Sequence, residues 1–239
     1  MQSLPAKFIV YTMGRCGSTL LQELSHQPPL IISEGEILNS WISNCDPFDF
    51  LRKSALTAFS SGSICWGFKL KTSHIAKTGT DPGSFLSRAC GEGWKIIHLK
   101  RDNLLDLSLS CLYAKHSNKW FSYKSKFDLI RRVKPSQKIH IDMDELFRTL
   151  DRNSGLYEFE NELLAHFPHL GLTYEEGLAE EGMHKSCLKD FMSYLNISRS
   201  QYQFFRTKMK KNVPSRTRSF SNYEQIVGAI SKTPYRRFL

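Results

Sequence analysis

The chain has 239 residues, enough for one sizeable core or at most two small domains. Its 41% hydrophobic and 23% charged residues exclude a disordered or fibrous chain. The net charge of +10 favours an anionic partner, but much of it lies in residues 95–101 and 206–218, which suits local anion pockets better than a continuous nucleic-acid face. The six cysteines are scattered without a CxxC pair, which predicts reduced thiols, a cytoplasmic location and no zinc site. No secretory h-region is present, and no stretch approaches the roughly 20 apolar residues of a membrane span.

Phe8, Ile9, Val10 and Tyr11 form a short apolar run rich in β-branched and aromatic residues. It predicts a strand buried on both faces of a parallel sheet. Gly14-Arg15-Cys16-Gly17-Ser18-Thr19 follows, and then Leu20, Leu21 and Leu24 at helical spacing. A strand, a glycine loop and a helix in that order aim backbone N–H groups and the positive end of a helix dipole at one spot. Ser18 and Thr19 add hydroxyl donors, and Arg15 adds a planar fork of charged donors. The junction is suited to an anion with several oxygens. It is not a Walker A loop, because Gly17 stands where that motif has Lys.

Further along, residues 30–32 predict a second strand, left through Ser33-Glu34-Gly35-Glu36. Residues 39–63 read as helix and loop, 64–70 as a third strand, 77–83 as a surface loop and 84–90 as a short helix. Residues 94–99 predict a fourth strand, 103–115 a buried helix and 138–143 a fifth strand. Helices are expected at 144–151, 155–167, 184–195 and 221–231. Strands alternating with helices predict an α/β fold of three layers, a parallel sheet flanked by helices. Ligands in such sheets sit at the carboxyl ends of strands, where residues 33–39, 69–74 and 100–103 can meet the glycine loop. The expectation is one domain over residues 1–239, with a basic tail from about residue 206 packing over the ligand edge.

The loop resembles the 5′-phosphosulfate loop of sulfotransferases that use 3′-phosphoadenosine-5′-phosphosulfate (PAPS): Arg15, Cys16, Gly17, Ser18 and Thr19 match it position by position. The likeness extends in order along the chain and is greatest to the bacterial glycan-type branch. Arg101, just past the fourth strand, and a serine on the next helix resemble the family's 3′-phosphate element. Ser110 fits its spacing better and Ser108 is the runner-up. Gly35-Glu36 resembles the family's Gly-Glu, whose carboxylate takes the acceptor's proton, with Glu34 as its rival. Lys69 occupies the place of a lysine facing the leaving group or acceptor, and Lys71 is the alternative. Lys71-Thr72-Ser73-His74 is similar to a Lys-Thr-His of phenol sulfotransferases with one extra residue, which puts His74 in doubt as a base. The basic run at 210–216, with Lys211 and Arg216, resembles the segment that closes the 3′-phosphate, and Asn222-Tyr223-Glu224 follows it as in that branch. One departure is Leu20, where many cytosolic members have the Trp that lines the adenine pocket.

The resemblance implies transfer of a sulfuryl group from PAPS, leaving 3′,5′-adenosine bisphosphate, to a hydroxyl or amine of a small-molecule or glycan acceptor, with no metal and no nucleic acid. A sulfuryl group carries one net negative charge, so protein cations can replace the Mg²⁺ of phosphoryl transfer. Acceptor choice is expected to lie in residues 39–63 and 120–133, where Trp120, Phe121 and Tyr123 are either a stacking wall or core. Two other classes remain open: a P-loop kinase with a degenerate Walker loop, and a non-catalytic nucleotide- or nucleic-acid-binding protein. The aromatics are not interleaved with the basic runs as nucleic-acid stacking platforms are. Oligomeric state is not readable from the sequence.

Overall fold

The computed structural model of the chain describes residues 5–40, 45–117, 138–207 and 216–239. These fall into two units, residues 1–102 with 157–207, and residues 103–156 with 208–239.

The first unit is built on β1 (Ala6–Tyr11), whose apolar run is buried as its composition predicts. Among the described residues it is the central strand of a five-stranded sheet with β2 (Ile31–Glu34), β3 (Cys65–Leu70), β4 (Trp94–Lys100) and β5 (His169–Thr173), in the order β2-β3-β1-β4-β5. Every pairing is parallel, and the last residue of β1, Tyr11, sits beside Leu70 of β3 and His98 of β4. A parallel sheet brings the carboxyl ends of all its strands to one edge, and the order reverses around β1.

Both faces are covered, as a parallel sheet requires. Ile9 joins a core cluster with Phe48 and Leu51 of α2 (Pro47–Ser60) and Phe85 and Leu86 of α4 (Pro82–Gly91). Phe8 points the other way, edge-on to Phe191 of α8 (His184–Tyr194) with ring centroids 5.2 Å apart. α1 (Ser18–Ser25) packs near α8 on that face. Gly67 is demanded by close approach: a Cβ there would lie 2.3 Å from the Phe8 carbonyl oxygen. The α/β expectation holds, with helices on both faces of an all-parallel sheet.

Local signals explain the helix starts. Asp46 caps α2 by accepting the Phe48 N–H at 3.1 Å, and Asp81 caps α4 by accepting the Ser84 N–H at 2.9 Å. A proline follows each cap at the first helical position, where its missing N–H costs nothing. The helix expected at 84–90 therefore begins two residues earlier, at Pro82.

Two expectations are corrected. Residues 138–143 are not the fifth strand; Ile139 makes only an isolated bridge to Phe220. The fifth strand is β5, a half-exposed edge strand whose Leu172 alone is buried. The two helices expected at 144–151 and 155–167 are one, α6 (Met143–Leu164), which runs through Gly155. A helical glycine lowers stability by only about 1 kcal/mol.

The second unit contains α5 (Leu104–Ser117), the first part of α6, and the short helices α9 (Arg216–Ser219) and α10 (Tyr223–Ile230). Here the Asn222 side chain acts as a peptide group would. Its Oδ1 accepts the Ile141 N–H at 3.0 Å and its Nδ2 donates to the Ile141 carbonyl at 2.8 Å. Among the described residues no helix is long and apolar enough to cross a membrane.

Candidate functional site

The β1–α1 loop leaves the central strand through a left-handed backbone. Gly14, Arg15 and Gly17 have φ of +98°, +58° and +86°. Successive turns of this kind make a concave nest of N–H groups that suits an anion. Arg15 holds the left-handed form without being glycine, a strain of about 1 kcal/mol that surrounding structure must sustain. Gly17 is required twice over, because a Cβ would also lie 2.9 Å from the Tyr174 ring. Ser18 and Thr19 open α1 directly after it. The Cys16 side chain is fully buried with its Sγ donating to the Gly14 carbonyl, so that residue can offer a ligand only its backbone.

Residues from the ends of β2 and β3 gather beside the loop. Lys69, 5% exposed, donates from Nζ to Thr19 Oγ1 at 3.2 Å. Lys71 packs against Gly14 and pairs with Glu36 at 2.9 Å. His74, on the short helix α3 (Thr72–Lys77), accepts the Lys71 N–H on Nδ1 and places Nε2 3.5 Å from Glu36 Oε2. Burial, against the opposing charge of Glu36, pushes His74 down to about 4, so it is neutral at neutral pH. With Nδ1 accepting, its ring proton is on Nε2, facing the carboxylate, and neither nitrogen offers a free lone pair to a substrate. Burial raises the Glu36 carboxyl, but the hydrogen bond and charge of Lys71 and the charge of Lys69 outweigh it and hold the group below its ordinary value. Burial likewise lowers Lys69, partly offset by Glu36.

The geometry separates the two carboxylates that sequence left paired. Glu34 is still in β2 and accepts the Trp66 indole N–H at 3.1 Å. Glu36 lies past the strand, beyond Gly35, among the lysines. Of the two, Glu36 is the one at the loop.

Arg101 follows β4 at the same edge. Its guanidinium lies 4.5 Å from the centroid of the Tyr174 ring, the ring that abuts Gly17, and its Nε is 3.7 Å from Glu175 Oε1. Glu175 Oε2 accepts the Asp102 N–H at 3.1 Å. Tyr174 and Glu175 open α7 (Tyr174–Gly177), and sequence reasoning missed both because it missed β5 before them. A signal was present: Leu170 and Leu172 alternate and lead into Thr173-x-x-Glu176, a helix-start signature in which Thr173 Oγ1 caps the Glu176 N–H.

The remaining candidates belong to the second unit or fall outside the described residues. Ser108 and Ser110 are buried on α5 of the second unit, where Ser108 accepts from Asn153 Nδ2 at 2.9 Å. Arg216, in the same unit, donates to Asp106 at 2.6 Å, to the Tyr223 hydroxyl and to the Phe238 and Leu239 carbonyls. Lys211, the rest of the run at 210–215, and Trp120, Phe121 and Tyr123 lie outside the described residues.

No protein-family model matches the chain. It is 25% identical over 244 residues to nodulation protein H of Rhizobium tropici, an alignment covering 98% of this chain and 93% of that protein. It is also 26% identical over 131 residues to nodulation protein H of Rhizobium meliloti, covering 51% of this chain and 52% of the relative. The first alignment runs almost end to end, so the likeness is distant homology of the whole chain and not of one motif.

Proposed function

We propose that this chain, a distant homologue of nodulation protein H, is a PAPS-dependent sulfotransferase that moves a sulfuryl group to a hydroxyl or amine of a small-molecule or glycan acceptor. The homology supports the PAPS-dependent sulfotransferase class. The observation that carries the mechanism is the meeting, at one sheet edge, of an anion-binding loop and a carboxylate held ionised by lysine.

The donor fits what the first unit offers. A nest of N–H groups flanked by Arg15 and Lys69 suits the 5′-phosphosulfate. Arg101 and the Asp102 N–H, which already hold a carboxylate, suit a phosphate monoester. Ser110, Lys211 and Arg216 enter this reading through the sequence resemblance alone.

In the proposed step the acceptor oxygen bonds to sulfur as the bond from sulfur to the donor's bridging oxygen breaks, and 3′,5′-adenosine bisphosphate departs. Glu36 takes the acceptor's proton. Lys71 keeps that carboxylate ionised and oriented. The loop N–H groups, Arg15 and Lys69 stabilise the charge that grows on the leaving phosphate. His74 serves as an orienting partner of Glu36 and not as the base.

The test is transfer of label from sulfur-labelled PAPS to a panel of sugars, phenols, lipids and amines, with a chelator present. Labelled product from at least one acceptor class is expected. No transfer to any of them, together with Mg²⁺-dependent phosphorylation from ATP, would replace this reading with a kinase.

A further inference from the structure

The proposed nucleotide site contains an acidic residue where a phosphate reader should avoid one. The two oxygens of Glu175 divide between the Arg101 guanidinium, at 3.7 Å, and the Asp102 N–H, at 3.1 Å. A guanidinium and a backbone N–H at the end of a strand are the donor set that holds a phosphate oxygen pair. A carboxylate bound there has the shape and charge of a partial mimic. If it stayed while a phosphate bound Arg101, two anions would share one cation at close range, which is unfavourable for both.

We propose that Glu175 is an internal competitor for this corner, displaced by the 3′-phosphate of the nucleotide, and that it sets the affinity for 3′-phosphorylated nucleotides and eases release of the bisphosphate product. The inference rests on the PAPS reading of the site. Three observations support it. The Glu175 side chain is 35% exposed and has solvent to move into, whereas Arg101 is 14% exposed. Arg101 is also stacked on Tyr174, so the guanidinium keeps a partner when the carboxylate leaves. And Glu175 is not needed to start α7, because Thr173 and Glu176 make that cap. The competitor weakens donor and product alike, since both carry the 3′-phosphate, and so speeds the departure of a product that keeps both phosphates of its donor.

Calorimetric titration of the full chain tests this, using 3′,5′-adenosine bisphosphate and adenosine 5′-phosphate as probes. Glu175→Gln keeps an acceptor for the Asp102 N–H and removes the charge. It is expected to bind the bisphosphate about fivefold more tightly and the monophosphate unchanged, the scale of one partly exposed ion pair. The gain should vanish in the Arg101→Ala background, because the two residues act through one contact. Equal or weaker bisphosphate binding by Glu175→Gln, while Arg101→Ala still weakens the unsubstituted chain, overturns the competitor and leaves the sulfotransferase reading standing. A gain shared equally by both nucleotides overturns it too, since the effect is then not at the 3′-phosphate. Failure of the unsubstituted chain to bind either nucleotide overturns the sulfotransferase reading and the competitor with it.

Discussion

Two clusters of charge in the first unit differ in what they can do. On the outer surface of α2 and α4, Arg52 and Arg88 face Asp46, Asp49 and Glu92. Both arginine side chains are more than 40% exposed, and carboxylates outnumber cations. At the carboxyl edge of the sheet, Lys69 and Lys71 face one carboxylate, Glu36, and Lys69 is almost fully buried. The first cluster is a solvated network whose pairs are screened by water and salt. The second holds more positive than negative charge around one buried lysine, which a fold tolerates only if something else gains from it. Charge alone makes neither a candidate site; a buried lysine with charge imbalance, beside a strained loop, makes the second one.

Substitutions can break that contrast. The largest effect is expected at Glu36. Glu36→Gln keeps shape and size but cannot take a proton, so turnover should fall by roughly a hundred- to ten-thousandfold with donor binding nearly unchanged. Steady-state rates beside nucleotide titration separate the two; full activity would remove Glu36 as the base. Next is Arg15→Ala, expected to cost about a hundredfold in turnover through loss of one preorganised stabilising charge. Wild-type turnover in that variant would rule the loop out as the sulfuryl cradle.

A smaller effect concerns pH. Because Lys71 and Lys69 overcome burial and hold Glu36 below its ordinary value, the carboxylate is ionised throughout the neutral range. The acid limb of turnover should therefore lie below the usual glutamate range. The folded-state value is depressed, so the ion pair stabilises the fold above the unfolded value, and this is lost as pH falls through the folded one. Lys71→Met removes the principal lowering partner and leaves the burial. The limb should then move up, and a limb that stays in place would separate Lys71 from Glu36. The smallest effect is Arg88→Ala in the surface network, where activity should stay within about twofold of wild type.

What was legible in the sequence was local. The run Phe8-Ile9-Val10-Tyr11, the glycine loop and the leucines after it specify strand, turn and helix from neighbours alone, and all three are present. Long-range pairing was harder to read. Residues 138–143 alternate like a strand, yet Ile141 is paired by the Asn222 side chain and Ile139 only by a bridge to Phe220. β5 carries His169 and Gly171 on an exposed edge, where no second buried face imposes an apolar run. Missing it hid Tyr174 and Glu175. Where β2 ends was not readable from the sequence: Glu34 is its last residue and accepts the Trp66 indole N–H, while Glu36 lies beyond Gly35 beside Lys71.

The loop edge is proposed to recognise a 3′-phosphorylated adenine nucleotide for sulfuryl transfer. Thermal unfolding of the chain with 3′,5′-adenosine bisphosphate, with ATP in the presence and absence of Mg²⁺, and with a mixed oligonucleotide tests it most directly. A ligand that binds only the folded state, at a hundred times its dissociation constant, adds about 2.7 kcal/mol of stability. The bisphosphate is expected to raise the melting temperature by several degrees without metal, with ATP and the oligonucleotide doing little. Stabilisation by Mg²⁺–ATP or by the oligonucleotide, with none from the bisphosphate, would contradict the account.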